Sequence, residues 1–438
     1  MKEYTFRRGV HPHEGKGGKS VTGPLPVLDA APPATVAIAL SQHVGAPCRP
    51  VVKAGDRVKM GQKVGEAPGF VSAPVHASVS GVVKGIQQRT GAAGTRVDCV
   101  IIENDGLDTP DDSLQKFADP FLATKDELLK AVNAAGMVGL GGAAFPVHVK
   151  LSPPPDKKID FLILNGAECE PYLTSDHRMM LDYPEKVVDG MLIAAHIVSA
   201  KALKIGIERN KPDAIASISK VAAEKGVEVC SLKVKYPQGG EKQLIEAVTG
   251  RQVPSGKLPM DAGCVVMNVS TAAALSDAIR HGKPITERIV TVAGEVKNPR
   301  NLRVRVGTSV ESVLEQCGGV NEGADKVILG GPMMGMSISS LNTPTTKATG
   351  GILVLKDEAG YTDEPGNCIR CGSCVRACPI GLLPLDYYAL ARKGMYEKSR
   401  DEYHLLDCIE CGACAFICPA KLPLVQMIRV SKRALPRK

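Results

Sequence analysis

The sequence contains no tryptophan and few aromatics of any kind, with nine tyrosines and seven phenylalanines in 438 residues. It therefore offers no platform on which nucleic-acid bases could stack. It also lacks a strong charge bias: 54 basic against 46 acidic side chains leave a formal +8. That surplus suits an acidic partner but is small for a dedicated nucleic-acid binder. No apolar run approaches the ~18 residues that span a bilayer. The opening MKEYTFRRGVHPHEG has no apolar stretch of the kind that drives secretion. The expectation is a cytoplasmic protein without a transmembrane segment. Hydrophobic residues at 44% and charged residues at 23% are globular proportions. At roughly 150 residues per domain, the length predicts about three domains.

What the sequence has in quantity is cysteine at fixed spacing. Of 14 cysteines, eight fall in two runs, CIRCGSCVRACP at 368–379 and CIECGACAFICP at 408–419, each cysteine of the first displaced by 40 residues in the second. Both runs read C-x2-C-x2-C-x3-C-P, the pattern that wraps a 4Fe-4S cube and sends its fourth cysteine to the neighbouring cube. Cluster one is accordingly assigned Cys368, Cys371, Cys374 and Cys418, and cluster two Cys408, Cys411, Cys414 and Cys378. Gly372 and Gly412 permit the turns, and Pro379 and Pro419 redirect the chain. Zinc is the competing reading, but zinc needs no third cysteine two residues on. Between the runs, PLDYYALARKGMYEKSRDEYHLLD has helical spacing broken only at Gly394, which predicts a helical two-cluster module over 360–438. The other six cysteines, Cys48, Cys99, Cys169, Cys230, Cys264 and Cys317, read as small buried hydrophobes. Two adjacent clusters pass single electrons and perform no hydride chemistry, so an enzyme built around them needs a second cofactor.

A glycine loop supplies a place for one. KDELLKAVNAAG at 125–136 reads as an amphipathic helix, MVGLGGAAFPVHVKL follows, and KIDFLILNGAECEP reads as a strand entering a loop. Gly139, Gly141 and Gly142 thus follow a helix, whereas a dinucleotide fingerprint has its glycines after a strand, and Ala144 replaces the third glycine. What remains is a side-chain-poor loop that a flat or phosphorylated ligand could approach, with Phe145 as an apolar wall and Lys150 as a positive charge. An ordinary turn fits the same residues. Asn165, Glu168 and Glu170 stand just past the carboxyl end of the strand FLIL, where open α/β sheets bind ligands. Further strand–helix alternation, including CVVMN before a helix with Ser270 or Thr271 near its N-cap, predicts a parallel, doubly wound domain over 115–282.

GLGGAAFPVHVK at 139–150, NGAECEP at 165–171, YPQGGEKQL at 236–244 and NVSTAAAL at 268–275 resemble the FMN- and NADH-binding loops of the flavoprotein subunit of respiratory complex I. The chain is more closely similar to the C subunit of Rnf-type electron-transport complexes, from FRRGVHPHEGK through NGAECEPYLTSDHR and GGPMMG at 330–335 to both cysteine runs. The resemblance implies FMN contacts from Gly139, Gly141, Gly142, Lys150, Asn165, Glu168, Tyr236, Gly239, Asn268 and Thr271, and nicotinamide-nucleotide contacts from Phe145 and Glu170. It assigns no catalytic side chain, hydride transfer belonging to FMN, and His148 and His177 receive no role. Leu140, Ala167 and Gly240 depart from the complex I pattern, which has arginine, an acidic residue and glutamate there.

The same resemblance implies a multidomain α/β fold. It comprises an N-terminal segment (1–35), a barrel-sandwich, lipoyl-like β module (36–105), the Rossmann-like FMN-binding domain, a β-grasp, SLBB-like domain (285–352) and the ferredoxin-type module. FVSAPVHASVSG carries no lysine at its hairpin tip, so the β module reads as structural and not as a swinging arm. The implied activity is ferredoxin:NAD+ oxidoreduction, with two 4Fe-4S clusters and FMN as cofactors and NAD(H) as substrate. The implied partners are the other subunits of a membrane complex, including a ferredoxin-like iron–sulfur subunit, and the implied place is the cytoplasmic face of the membrane. The basic tail, with Lys421, Arg429, Lys432, Arg433, Arg437 and Lys438, reads as a docking edge or as a solvated terminus. Two alternatives stay open: a cobalamin reductase of the propanediol-utilisation type, whose barrel-sandwich segment lies at the other end, and a flavin-free electron relay.

Overall fold

The runs FLIL, IGI and CVVM are short, apolar on consecutive residues and separated by helical stretches, the pattern of strands buried on both faces. In the computed structural model, which describes residues 2–13, 18–356 and 365–436, they are neighbours in a five-stranded sheet. Its strands are β1 (Glu3–Tyr4), β2 (Phe161–Gly166), β3 (Ala202–Glu208), β4 (Val227–Leu232) and β5 (Cys264–Asn268), in spatial order β1-β4-β3-β2-β5 and all parallel. Helices α1 (Lys125–Ala134), α2 (Val147–Lys150), α3 (Ser175–Asp182), α4 (Pro184–Val198), α5 (Pro212–Ala222), α6 (Glu241–Thr249) and α7 (Val269–His281) cover it. Leu162 and Leu164 enter the core beneath α4 and α7, while Ile163 between them enters the core beneath α6. The period-2 alternation of the strand thus feeds two cores.

From β2 the chain winds outward through β3 and β4, then returns to lay β5 on the other side of β2. The switch point, where helices on successive crossovers diverge and leave a crevice, therefore lies between β2 and β5. Asn165, the last but one residue of β2, and Asn268, the last of β5, are register partners across it.

Three other units surround this domain. Thr35–Ala39, Arg57–Val58, Gly81–Thr90 and Arg96–Asn104 form one small sheet, and Arg49–Pro50, Lys63–Glu66 and Val75–His76 a second, closed over a valine- and isoleucine-rich core. A six-stranded mixed sheet built on Glu287–Gly294 and Arg300–Arg305 carries the helix Val310–Gln316. The cysteine runs lie in a helical unit whose longer members are Pro384–Ala391 and Leu424–Ala434. Within the expected N-terminal segment, Glu3–Tyr4 supplies β1 and Leu28–Asp29 adds an edge strand to the six-stranded sheet. Residues 360–364 of the expected cluster module, Glu14–Gly17 of the opening motif, and Arg437 and Lys438 of the tail lie outside the described residues.

Candidate functional site

The glycine loop is built by closure and then clamped. After α1, Gly136 turns with φ +60, and a Cβ there would meet the Pro74 carbonyl at 2.1 Å. The Gly139 amide donates to the Phe145 carbonyl at 2.9 Å, closing a loop whose tip, Gly141 to Ala143, is exposed. Leu140 is gripped from both sides: its amide donates to Thr271 Oγ1 at 2.8 Å, and its carbonyl accepts from Arg288 Nη2 at 3.1 Å. Thr271, expected as a ligand contact, is 1% exposed and spends its hydroxyl on the loop. The N-cap of α7 is Asn268, with Ser270 and Thr271 in the first turn as expected. Its Oδ1 accepts from the Thr271 amide at 3.2 Å, and its Nδ2 donates to Asp176 at 2.6 Å.

Opposite, Asn165 Nδ2 donates to the Gly239 carbonyl at 2.8 Å, and the Gly239 backbone amide donates to Cys169 Sγ at 3.2 Å. The crevice is therefore framed by the glycine turn, two strand ends and the Tyr236–Gly240 loop, with the Lys150 ammonium on Glu241 at 2.8 Å and on the Val266 carbonyl at 2.9 Å. An exposed turn without side chains, a half-buried cation and Gln238, fully buried with both amide atoms unpartnered among the described residues, fit a flat ligand with an anionic tail. Phe145 is half-buried at the end of the loop.

Two carboxylates and a tyrosine expected as ligand contacts have protein partners. Glu168 accepts from the Asp176 and His177 amides at 2.6 and 3.2 Å, capping α3. Burial pushes it up to about 7, Asp176 adding to the shift and Lys19 and Lys211 opposing it. Glu170 accepts from the Met333 and Met334 amides at 3.1 and 2.8 Å, so it fixes the GGPMMG turn, and burial raises it too. Tyr236 is 1% exposed and donates its hydroxyl to the Cys411 carbonyl at 2.7 Å, tying the central domain to the second cysteine run. His148 bonds the Phe70 carbonyl and His177 bonds Asp213, structural tasks for both.

The cysteine runs cross. Cys378 of the first run lines one pocket with Cys408, Cys411 and Cys414 of the second, walled by Tyr387, Val425 and Ile428. Burial pushes the Cys411 thiol up to about 12 and raises Cys408 and Cys414. These protons must leave when thiolates take a metal. Four thiols in one apolar pocket fit a cubane cluster. The other set is nearer solvent: Cys368 and Cys371 are exposed, and Cys374 lies within electrostatic reach of Cys371 and Cys418. The internal repeat extends to the backbone: the Arg370 amide donates to Cys368 Sγ and the Glu410 amide to Cys408 Sγ, both at 3.4 Å, both from residues with φ near +55. Such N–H···S bonds tune cluster potentials.

Sequence reasoning missed several residues. Cys169 is not a core filler like the other five isolated cysteines; it accepts the Gly239 amide beneath the crevice. Arg288 was not distinguishable within RIVTVAG, because its contact with Leu140 spans 148 positions. In the basic tail, Arg429 and Lys432 are not docking charges: they turn inward to Glu410 at 3.1 and 2.9 Å.

A doubly wound sheet with a clamped glycine loop at its switch point, joined to a helical unit that gathers paired cysteine runs, defines an iron–sulfur flavoprotein of electron transfer. Family models match in the same order along the chain: an RnfC barrel-sandwich hybrid domain (residues 4–107), a Nuo51 FMN-binding domain (132–277), an SLBB domain (289–337) and a 4Fe-4S dicluster domain (367–422). The chain is 49% identical over 99% of its length to the C subunit of the Na(+)-translocating ferredoxin:NAD(+) oxidoreductase complex of Acetobacterium woodii, spanning 98% of that protein. It is 46% identical over 98% of its length to the corresponding subunit of the proton-translocating complex of Clostridium ljungdahlii, spanning 93%. Against the C subunit of the ion-translocating oxidoreductase complex of Rhodobacter capsulatus it is 40% identical, over 99% of this chain and 83% of that one. The chain belongs to this family, the C subunits of Rnf-type complexes. A chain of an NAD+-reducing [NiFe]-hydrogenase in the H2-reduced state shares the fold at 19% identity and TM-score 0.52, over 74% of this chain and 64% of that one.

Proposed function

We propose that this protein is the peripheral flavin and iron–sulfur subunit of a membrane-bound ferredoxin:NAD+ oxidoreductase, working on the cytoplasmic side. Among the described residues no helix is long and apolar enough to cross a membrane, so ion movement falls to partner subunits. FMN, when bound, supplies the conversion between a hydride and single electrons, and the 4Fe-4S clusters supply one-electron relay. Gly139, Gly141 and Gly142 give a ligand access to backbone, and Lys150 offers an anion a charge. Asn165, Gly239 and Asn268 frame the crevice. Thr271 and Glu168 act behind it, one holding the loop and the other capping α3. Phe145 and Glu170 are assigned to the nicotinamide nucleotide, Glu170 from its place on the GGPMMG turn.

The single observation that carries this reading is the direct link from crevice to cluster pocket. Tyr236, in the loop bounding the crevice, bonds the Cys411 carbonyl, and Gly412 packs so closely on Met333 that a Cβ would lie 2.8 Å from its carbonyl. The buried cysteine set therefore abuts the flavin domain and the exposed set faces outward, which orders the relay as flavin, cluster two, cluster one, partner. The family assignment removes the cobalamin-reductase alternative. Anaerobic reconstitution with iron, sulfide and FMN tests the reading. The expected result is bound flavin alongside about eight irons per chain, with flavin absorbance bleached by NADH. Clusters without flavin would overturn it.

A further inference from the structure

A cavity of about 290 Å³ lies where α7 faces the chain entering the six-stranded sheet, and none of the roles above uses it. Its floor includes the small side chains Ala273 and Ala274, and Met179 and Ile285 add apolar wall. Most charges around it are already matched. Lys186 pairs with Asp277 at 2.8 Å, Lys283 with Glu287 at 3.1 Å, and Arg303 with Asp29 at 2.9 Å.

Arg288 is the exception. Its side chain is 6% exposed and lines the cavity, and among the described residues no carboxylate forms an ion pair with it, Asp176 acting on it only at longer range. Its hydrogen bond goes to the neutral Leu140 carbonyl, and its Nε has no partner among the described residues. An arginine serving only to staple two elements is satisfied differently in this same protein: Arg280 directs Nε and Nη2 onto Asp189 at 2.8 and 2.6 Å. A buried guanidinium that lines a cavity with one donor unused is costly unless an anion completes it. Burial lowers Arg288 only to about 10, so it is cationic at neutral pH.

We propose that this cavity is a binding site for a compact oxyanion, a carboxylate or phosphate on a short carbon skeleton, received by the Arg288 guanidinium. The volume is at the small end for ligand pockets and excludes a dinucleotide. Mixed lining, with one cation that no carboxylate contacts and with apolar walls, suits an acid of a few carbons. The proposal stands whether or not the crevice at the glycine loop binds flavin.

Calorimetric titration of the full-length, cluster-loaded protein with inorganic phosphate and with succinate, against chloride at matched ionic strength, tests it. The expected result is saturable binding of at least one oxyanion at one site per chain. Arg288→Met should weaken it about tenfold or more, as befits loss of a charge-assisted bond. Ala274→Met, which fills the cavity and leaves Arg288 in place, should abolish it and guards against misfolding of the first variant. Phosphate bound more tightly than succinate would identify a phosphate ester as the ligand class, and the reverse order a carboxylate. Absence of binding by both oxyanions, or binding that neither substitution alters, would overturn the proposal.

Discussion

Leu140 occupies the position where the complex I pattern has an arginine, yet its backbone is held more firmly than its side chain would suggest. Thr271 and Arg288 take its amide and its carbonyl, from elements far away in sequence. Thr271→Val keeps shape and removes the acceptor, leaving a buried amide unpaired, a loss of roughly 1–2 kcal/mol or about 5- to 30-fold in affinity for whatever the loop holds. FMN titrated by fluorescence quenching should therefore bind that much more weakly to Thr271→Val, with normal binding to Thr271→Ser and unchanged iron content. Equal affinities would show that the loop holds its form without the bond. Glycine spacing made this loop visible in the sequence. Its clamps were invisible, because a threonine and an arginine carry no local signature of a partner more than a hundred residues away.

Helices α4 and α7 pack so closely that a Cβ at Gly190 would stand 1.8 Å from the Ala272 carbonyl. Gly190→Ala must push the two apart, at a cost of roughly 1–3 kcal/mol, read as a lower denaturation midpoint. A midpoint equal to that of the unaltered protein would mean the contact relaxes freely. The cysteine runs make a second test at this scale. Because Cys378 lines the pocket of the second run, Cys378→Ala should lose the cluster that Cys408→Ala loses, giving matching electron paramagnetic resonance spectra and about four irons per chain. Spectra matching Cys368→Ala instead would show that the runs do not exchange their last ligand. The repeat and its spacing were legible because a cluster takes three ligands from one short loop. Which loop receives each fourth cysteine depends on how Ser373–Ala377 and Ala413–Phe416 pack.

Across the whole molecule the units are joined by buried polar groups. Lys347 Nζ donates to the carbonyls of Pro74 and Gly136, each at 2.8 Å, linking the barrel-like unit to the central domain from the edge of the third. Burial lowers Lys347 to about 8. Beside it, burial lowers His76 to about 3 and His43 to about 4, Lys347 adding to both shifts. His76 has no partner on either ring nitrogen among the described residues. The signs agree: each group binds its proton more weakly folded than unfolded, so stability rises with pH through each window. The histidine contribution is complete above pH 6.5 and is lost as pH falls toward 3, and the lysine penalty is relieved between about 8 and 10.5. Urea midpoints should accordingly be lower at pH 5 than at pH 7. His76→Leu should narrow that gap, and a gap of undiminished size would remove His76 from the junction.

By itself, the sequence determined the cluster chemistry, the alternation that makes a parallel sheet and the side-chain-poor loop, because each depends on residues close together along the chain. Tertiary structure alone decided that Glu170 bonds the Met333 turn, that Tyr236 bonds Cys411 and that Arg288 lines a cavity with its Nε unpaired among the described residues. Those contacts arise where separate units meet, and a buried polar group takes its partner from whatever the packing brings within hydrogen-bonding distance.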